Sequence, residues 1–287
     1  GNECLIDKKP KRQKRVNFSG FSTPSYCKCV AYCLVRPQMN ALTKAINRFW
    51  QSSIGKKLIV AITGIVLVGF LVAHVGGNML IFAGREAMND YAYFLHHFLH
   101  GAGIWIFRGV LVVAFVLHIV ATIALTKQNR AAKAENYQNE TTNVASKGSR
   151  MMIWSGLTVL AFVVFHIFHF TVRVDPELAG MKEPSGRHDV WGMVIVGFQK
   201  PVVVLFYFVG ISLLCSHLSH GIASIFQTLG WRSLKSSEAI NKLGLALSVV
   251  LWVGFLSIPL AASLAGFGTD EMKMPVTDIA DVAEENR

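Results

Sequence analysis

Long apolar stretches at about 58–82, 104–126, 151–172, 201–229 and 243–267 alternate with shorter polar segments along the chain. Crossing a bilayer core takes ~20 helical residues, so each stretch is long enough to span one. The pattern predicts an all-α integral membrane protein with five transmembrane helices. A short amphipathic stretch carrying Leu42, Ile46, Phe49 and Trp50 leads through Lys56 and Lys57 into the first span. Pro201 stands at the start of the fourth span, where a missing amide costs little. Pro259 interrupts the fifth, where a kink is expected.

Composition agrees with the pattern. Of 287 residues, 52% are hydrophobic and only 16% charged, too apolar for an ordinary soluble domain. The net charge of +11 carries little weight for nucleic acid, because the basic residues sit in short runs beside apolar spans. Segments 39–57, 127–150 and 230–242 hold twelve Lys or Arg against three Asp or Glu. The loops 83–103 and 173–200, Arg108 and the tail after Phe267 hold eight against twelve. Positive residues favour the cytoplasmic side, so the N-terminus is expected inside and the acidic C-terminus outside. Three regions follow: a basic extension over 1–38, a membrane domain over 39–268 and an acidic tail over 269–287. Met39 is the first methionine, and the native start is expected there, with the extension non-native or disordered. Four of the five cysteines fall in the first 38 residues without a CxxC pair, which gives zinc and disulfide readings little support.

Candidate chemistry enters with histidine. His74, His118, His166 and His217 stand one in each of the first four spans, at intervals of 44, 48 and 51 residues. An ionisable group at such depth costs several kcal/mol without a partner, which marks a functional site. Imidazoles projecting inward from facing helices hold a metal or a haem between them. Four make two pairs, so the first four spans are expected to form a bundle holding two bis-histidine haems.

Counting at ~1.5 Å per residue places His74 roughly 25 Å beyond Lys57 and His166 roughly 24 Å beyond Arg150, at similar height. His118 and His217 lie on descending spans, toward the inner side. The expectation is an outer haem on His74 and His166 and an inner haem on His118 and His217. His169 and His220 follow their neighbours by three residues and share their helix face, so either member of each couple could ligate while the other contacts a propionate. Arg173, one turn beyond His169, is a propionate partner by charge. Gly69, Gly76, Gly77, Gly109, Gly156, Gly210 and Gly221 lie near these histidines and leave room for a flat macrocycle or for helix packing.

Several motifs stand out together: Ala73-His74-Val75-Gly76-Gly77-Asn78 with the loop Gly84-Arg85-Glu86-Ala87-Met88-Asn89, then Leu117-His118 and Phe165-His166-Ile167-Phe168-His169. The most specific is Ser216-His217-Leu218-Ser219-His220-Gly221 followed by Phe226-Gln227-Thr228-Leu229-Gly230. In these the chain, from about Met39 to Gly268, resembles the cytochrome b membrane-anchor subunit of bacterial succinate dehydrogenase and fumarate reductase (complex II), in its single-chain, five-helix, di-haem form.

The resemblance implies two haem b with His74, His118, His166 and His217 as iron ligands, and it favours His217 over His220. It implies a flavoprotein partner with FAD, an iron–sulfur partner feeding the inner haem, and menaquinone reduced near the outer one. The implied location is the bacterial cytoplasmic membrane. An acidic residue that some members carry just before the fourth ligand is absent here, where Leu213, Leu214, Cys215 and Ser216 stand. Quinone reduction consumes protons, and Glu86, His97 and His100 in the loop before the second span are candidates for that site, alongside Asp90 and His96. The expected function is electron transfer from succinate to quinone, with the succinate-oxidising site on another chain. Alternatives are a cytochrome b of formate dehydrogenase or hydrogenase, and a transporter relaying protons or metal ions through its histidines.

Overall fold

The computed structural model describes residues 40–131 and 147–270. The extension 1–38, the loop residues 132–146 and the tail from 271 onward lie outside the described residues. Among those described the chain is all-α, with one isolated bridge between Lys182 and His188 and no sheet.

Helix α1 (Ala41–Gln51) segregates Leu42, Ile46 and Phe49 from Lys44, Arg48 and Gln51 and buries no side chain. It stops at Ser52, whose hydroxyl accepts the Gly55 amide at 2.9 Å and so caps α2 (Ser53–Asn78). A 3-10 turn over Met79–Ala83 and a left-handed Gly84 lead into α3 (Arg85–His97). Leu99 and His100, both at positive φ, then turn the chain into α4 (Ala102–Ala131). Next comes α5 (Lys147–His166), whose last turn widens to a π-helical segment, Ile167–Val172, closed by Arg173 in the left-handed region. The short α6 (Pro176–Gly180) and α7 (Val190–Gly197) precede α8 (Pro201–Thr228) and α9 (Ser237–Leu264).

Five stretches are long and apolar enough to cross a membrane: Ser53–Ala83, Arg85–Ala131, Met152–Gly180, Pro201–Thr228 and Ser237–Leu264. They cover the expected spans to within a few residues, the fifth ending at Leu264 rather than near 267. Much of their apolar surface faces outward, as at Val110, Val113, Val202, Leu205 and Val250, which only a lipid surround makes inexpensive. Pro201 begins α8 as expected, whereas α9 continues as one helical segment through the buried Pro259.

Close packing runs from α4 to α2, from α2 to α8 and from α8 to α5, with α9 laid mainly along α8. Small residues bring α9 in. A side chain at Gly244 would stand 2.9 Å from the Ser219 carbonyl, and one at Gly254 would stand 2.6 Å from Val75. No comparably close packing joins α4 to α5, so the expected four-helix ring stays open on that side.

One end of the assembly is capped. The cap is built from segments the charge pattern treats as loops, 83–103 and 173–200. Helix α7 is almost wholly apolar but, at eight residues or ~12 Å, too short to span, so it buries against its neighbours instead. Trp191 is fully buried and donates its indole N–H to the Ile81 carbonyl at 3.0 Å. Beside it Asp189, 1% exposed, accepts hydrogen bonds from the Arg85 guanidinium, from Asn89 at 2.9 Å and from the Gly192 amide at 3.0 Å. Burial works against the Asp189 charge, but these donors outweigh it and hold the carboxyl below the usual carboxylate range. Arg187 ties Glu183 at 2.7 Å to Asp90 at 2.8 Å, and Asn89 also reaches Glu183 at 2.7 Å.

Candidate functional site: two histidine pairs

His74 on α2 and His166 on α5 face each other with ring centroids 5.9 Å apart and planes at 81°. Their helices do not pack closely, so the two imidazoles reach toward each other across an interhelical space. With metal–nitrogen bonds of ~2 Å and each ring centre about 1 Å behind its nitrogen, two imidazoles flanking one iron have centroids roughly 6 Å apart. The observed spacing fits an axial pair. Phe70 at 5.1 Å and Phe255 at 5.8 Å flank His74, and Phe162 lies 6.2 Å from His166.

His118 on α4 and His217 on α8 form the second pair, within electrostatic range of each other and again on helices that do not pack closely. Their hydrogen-bond partners fix the depth of this pair. Thr63, eleven residues before His74, bonds His118, and Ser155, eleven residues before His166, bonds His217. Eleven helical residues rise ~16 Å, so α2 and α5 report the same separation between the pairs.

Each hydroxyl has both a carbonyl of its own helix and an imidazole within reach: Thr63 Oγ1 lies 2.7 Å from the Ile59 carbonyl and 3.1 Å from His118 Nδ1, and Ser155 Oγ lies 3.0 Å from the Met152 carbonyl and 3.0 Å from His217 Nδ1. With its single proton on the carbonyl, a hydroxyl accepts Nδ1–H and leaves Nε2 unprotonated, the form in which histidine binds a metal. His166 Nδ1 lies 3.1 Å from the Tyr207 hydroxyl, while His74 meets Asn78 Nδ2 through Nε2 at 3.4 Å.

The second histidines occupy different surroundings from the first. His169 shares the Tyr207 hydroxyl at 3.1 Å and lies against Phe170 and Phe198, and no ring contact joins it to His74. His220 is exposed on α8, where its carbonyl accepts the Ser224 hydroxyl. Arg173 lines a cavity of about 250 Å³ at the capped end with His96, Arg108, His188, Phe170 and Met193. No acidic side chain lines it, which suits an anionic group. Burial and the nearby Arg173 charge both lower the basicity of His188, whose Nδ1–H donates to the Met181 carbonyl at 2.8 Å. Glu86, His97 and His100 are exposed and do not line this cavity, and His97 stacks on Tyr93. Of the loop candidates, His96 is the one at the cavity wall.

The donor set suits two haems, because each pair brings together imidazoles carried by two different helices, His74 with His166 and His118 with His217. At Gly69, Gly76, Gly109 and Gly221 an added side chain would meet nothing, whereas Gly77, Gly156 and Gly210 pack against Tyr91, His217 and Phe162. An apolar groove lined by Thr63, Gly109, Val110, Val113, Ala114 and Leu117 opens along α4 beside His118. Among the described residues no group of three or more His, Cys, Asp or Glu could hold a metal ion directly. The sequence reading had missed Thr63, Ser155 and Tyr207. A signal for the first two existed, since a hydroxyl residue stands eleven positions before both His74 and His166, a spacing that returns to one helix face.

Comparison with protein-family models, with curated proteins and with solved structures finds no match for this chain.

Proposed function

We propose that this chain is the membrane anchor and cytochrome b subunit of a succinate:quinone oxidoreductase, with one haem b between His74 and His166 and another between His118 and His217. The observation that carries the proposal is the pairing itself: two couples of imidazoles, ~16 Å apart along the helices, each joining helices that do not pack closely. A haem held by two histidines supplies one-electron transfer, because both axial positions are filled by protein.

The chain's own residues orient and enclose. Thr63, Ser155 and Tyr207 hold the imidazole rings through Nδ1. Arg108 and Arg173, with His96 and His188, give the capped end positive charge for a propionate and protonatable groups for a quinone, which we take to be menaquinone. The lysine- and arginine-rich ends argue that the capped end faces outward across a bacterial cytoplasmic membrane. The opposite face then meets an iron–sulfur subunit, which receives electrons from a flavoprotein that carries FAD and oxidises succinate. The motif resemblance supports these partner assignments.

The test is a dithionite-reduced minus oxidised spectrum of the purified chain, with haem extracted and counted. Two b-type haems per polypeptide are expected. A colourless, well-folded preparation would sink the proposal.

A further inference from the structure

Among the described residues Tyr207 is the one buried hydroxyl that touches two imidazoles. Its oxygen lies 3.1 Å from His166 Nδ1 and 3.1 Å from His169 Nδ1. The ring is 3% exposed and wedged among Phe162, Phe165, Phe170 and Phe198, so the phenol has little room to turn elsewhere. The π-helical segment beginning at Ile167 sets the backbone between the two histidines, and such widened turns are frequent at functional sites.

A phenol carries one proton. It can donate to one imidazole while accepting from the other, but it cannot donate to both. Two arrangements give the phenol proton an imidazole acceptor. In the first, His166 Nδ1–H donates to Tyr207, Tyr207 donates to His169 Nδ1, and His166 Nε2 is free to ligate. In the second the sequence reverses, and the His166 proton sits on Nε2, where it blocks ligation. Thr63 and Ser155 differ in having main-chain carbonyls of their own helices, at 2.7 and 3.0 Å, as acceptors for their protons.

We propose that Tyr207 is a positioning residue whose single hydroxyl proton, drawn toward His169, makes His166 rather than His169 the haem ligand. His169 serves as the acceptor that keeps that proton away from His166. This inference rests on the di-haem reading. It adds roles for two residues outside the ligand set.

The experiment uses the full-length chain purified with its partners, comparing wild type with Y207F, H169F and H169Q. Readouts are haem per chain, the retention of each haem on dilution, and the separate reduction potentials. Y207F keeps the ring and its packing while removing the acceptor for His166 Nδ1–H. Retention of the His74–His166 haem is expected to weaken roughly 10- to 100-fold, as for lost outer-shell partners of metal-bound histidine. The potential of that haem should rise, because its ligand becomes a weaker donor, while the His118–His217 haem stays unchanged. H169F leaves the phenol proton no acceptor except His166, so it should weaken the same haem. H169Q restores an acceptor oxygen and should rescue it. A two-haem wild type with Y207F and H169F unchanged in retention and potential overturns the inference alone. A wild type without haem overturns the di-haem reading and this inference with it.

Discussion

The two histidine pairs use the same side chain in unlike surroundings. His74 and His166 sit under the capped end among Phe70, Phe162, Phe255 and Tyr207. Among the described residues no aromatic ring contact reaches His118 or His217, whose rings are held by Thr63 and Ser155. The difference teaches how a tautomer is fixed. An aliphatic hydroxyl on a helix has a carbonyl of its own backbone to take its proton, which leaves its oxygen to accept from histidine. A buried phenol has no such outlet, and its tautomer depends on a third residue.

The most direct way to break the comparison is to remove a ligand. H74A and H166A should each lose the same one of two haems, and H118A and H217A the other. Spectra of the four variants giving four unrelated losses would dissolve the pairing.

Next in size is the cap. D189A removes the buried carboxylate that accepts from Arg85, Asn89 and the Gly192 amide, and the unsatisfied buried donors should cost about 1–3 kcal/mol of stability in thermal unfolding. It should loosen the His74–His166 haem and spare the other. The sign for pH follows from the depressed Asp189 carboxyl. Its contribution is present above the unfolded carboxylate value of ~3.9 and is lost as pH falls through the lower folded value. Wild type should therefore lose thermal stability in acid below about pH 4 by an amount that D189A does not show.

A smaller effect sharpens the opposite end. A side chain at Gly156 would meet His217 Cε1 at 3.4 Å, so G156L should displace that ring and weaken only the His118–His217 haem. Equal loss of both haems, read by redox titration, would contradict the separation of the sites. Smallest is S155A, which removes one hydrogen bond of about 1 kcal/mol from His217. Its haem should stay in place with a raised potential, and an unaltered potential would show that Ser155 does not tune the ligand.

The spans, the all-helical class and the four intramembrane histidines were legible from one dimension. Apolar run length is a property of consecutive residues, and ionisable groups stand out against such runs. Depth along a helix was legible too, because rise per residue is constant. The cap was not. Asp189, Arg85 and Asn89 read as ordinary loop polarity until α7 buries them, since a buried network depends on contacts about a hundred positions apart. Residue spacing did not separate His166 from His169, which share a face at a spacing of three; only the resemblance favoured His166, and in the structure Tyr207, brought in by α8, stands between the two while His74 faces His166. Sequence by itself determined which stretches are long and apolar enough to cross a membrane and how far apart along them the histidines stand. Tertiary structure alone decided which of them meet and where their protons go, because hydrogen bonds between helices depend on rotation about each helix axis, which hydrophobic run length leaves undetermined.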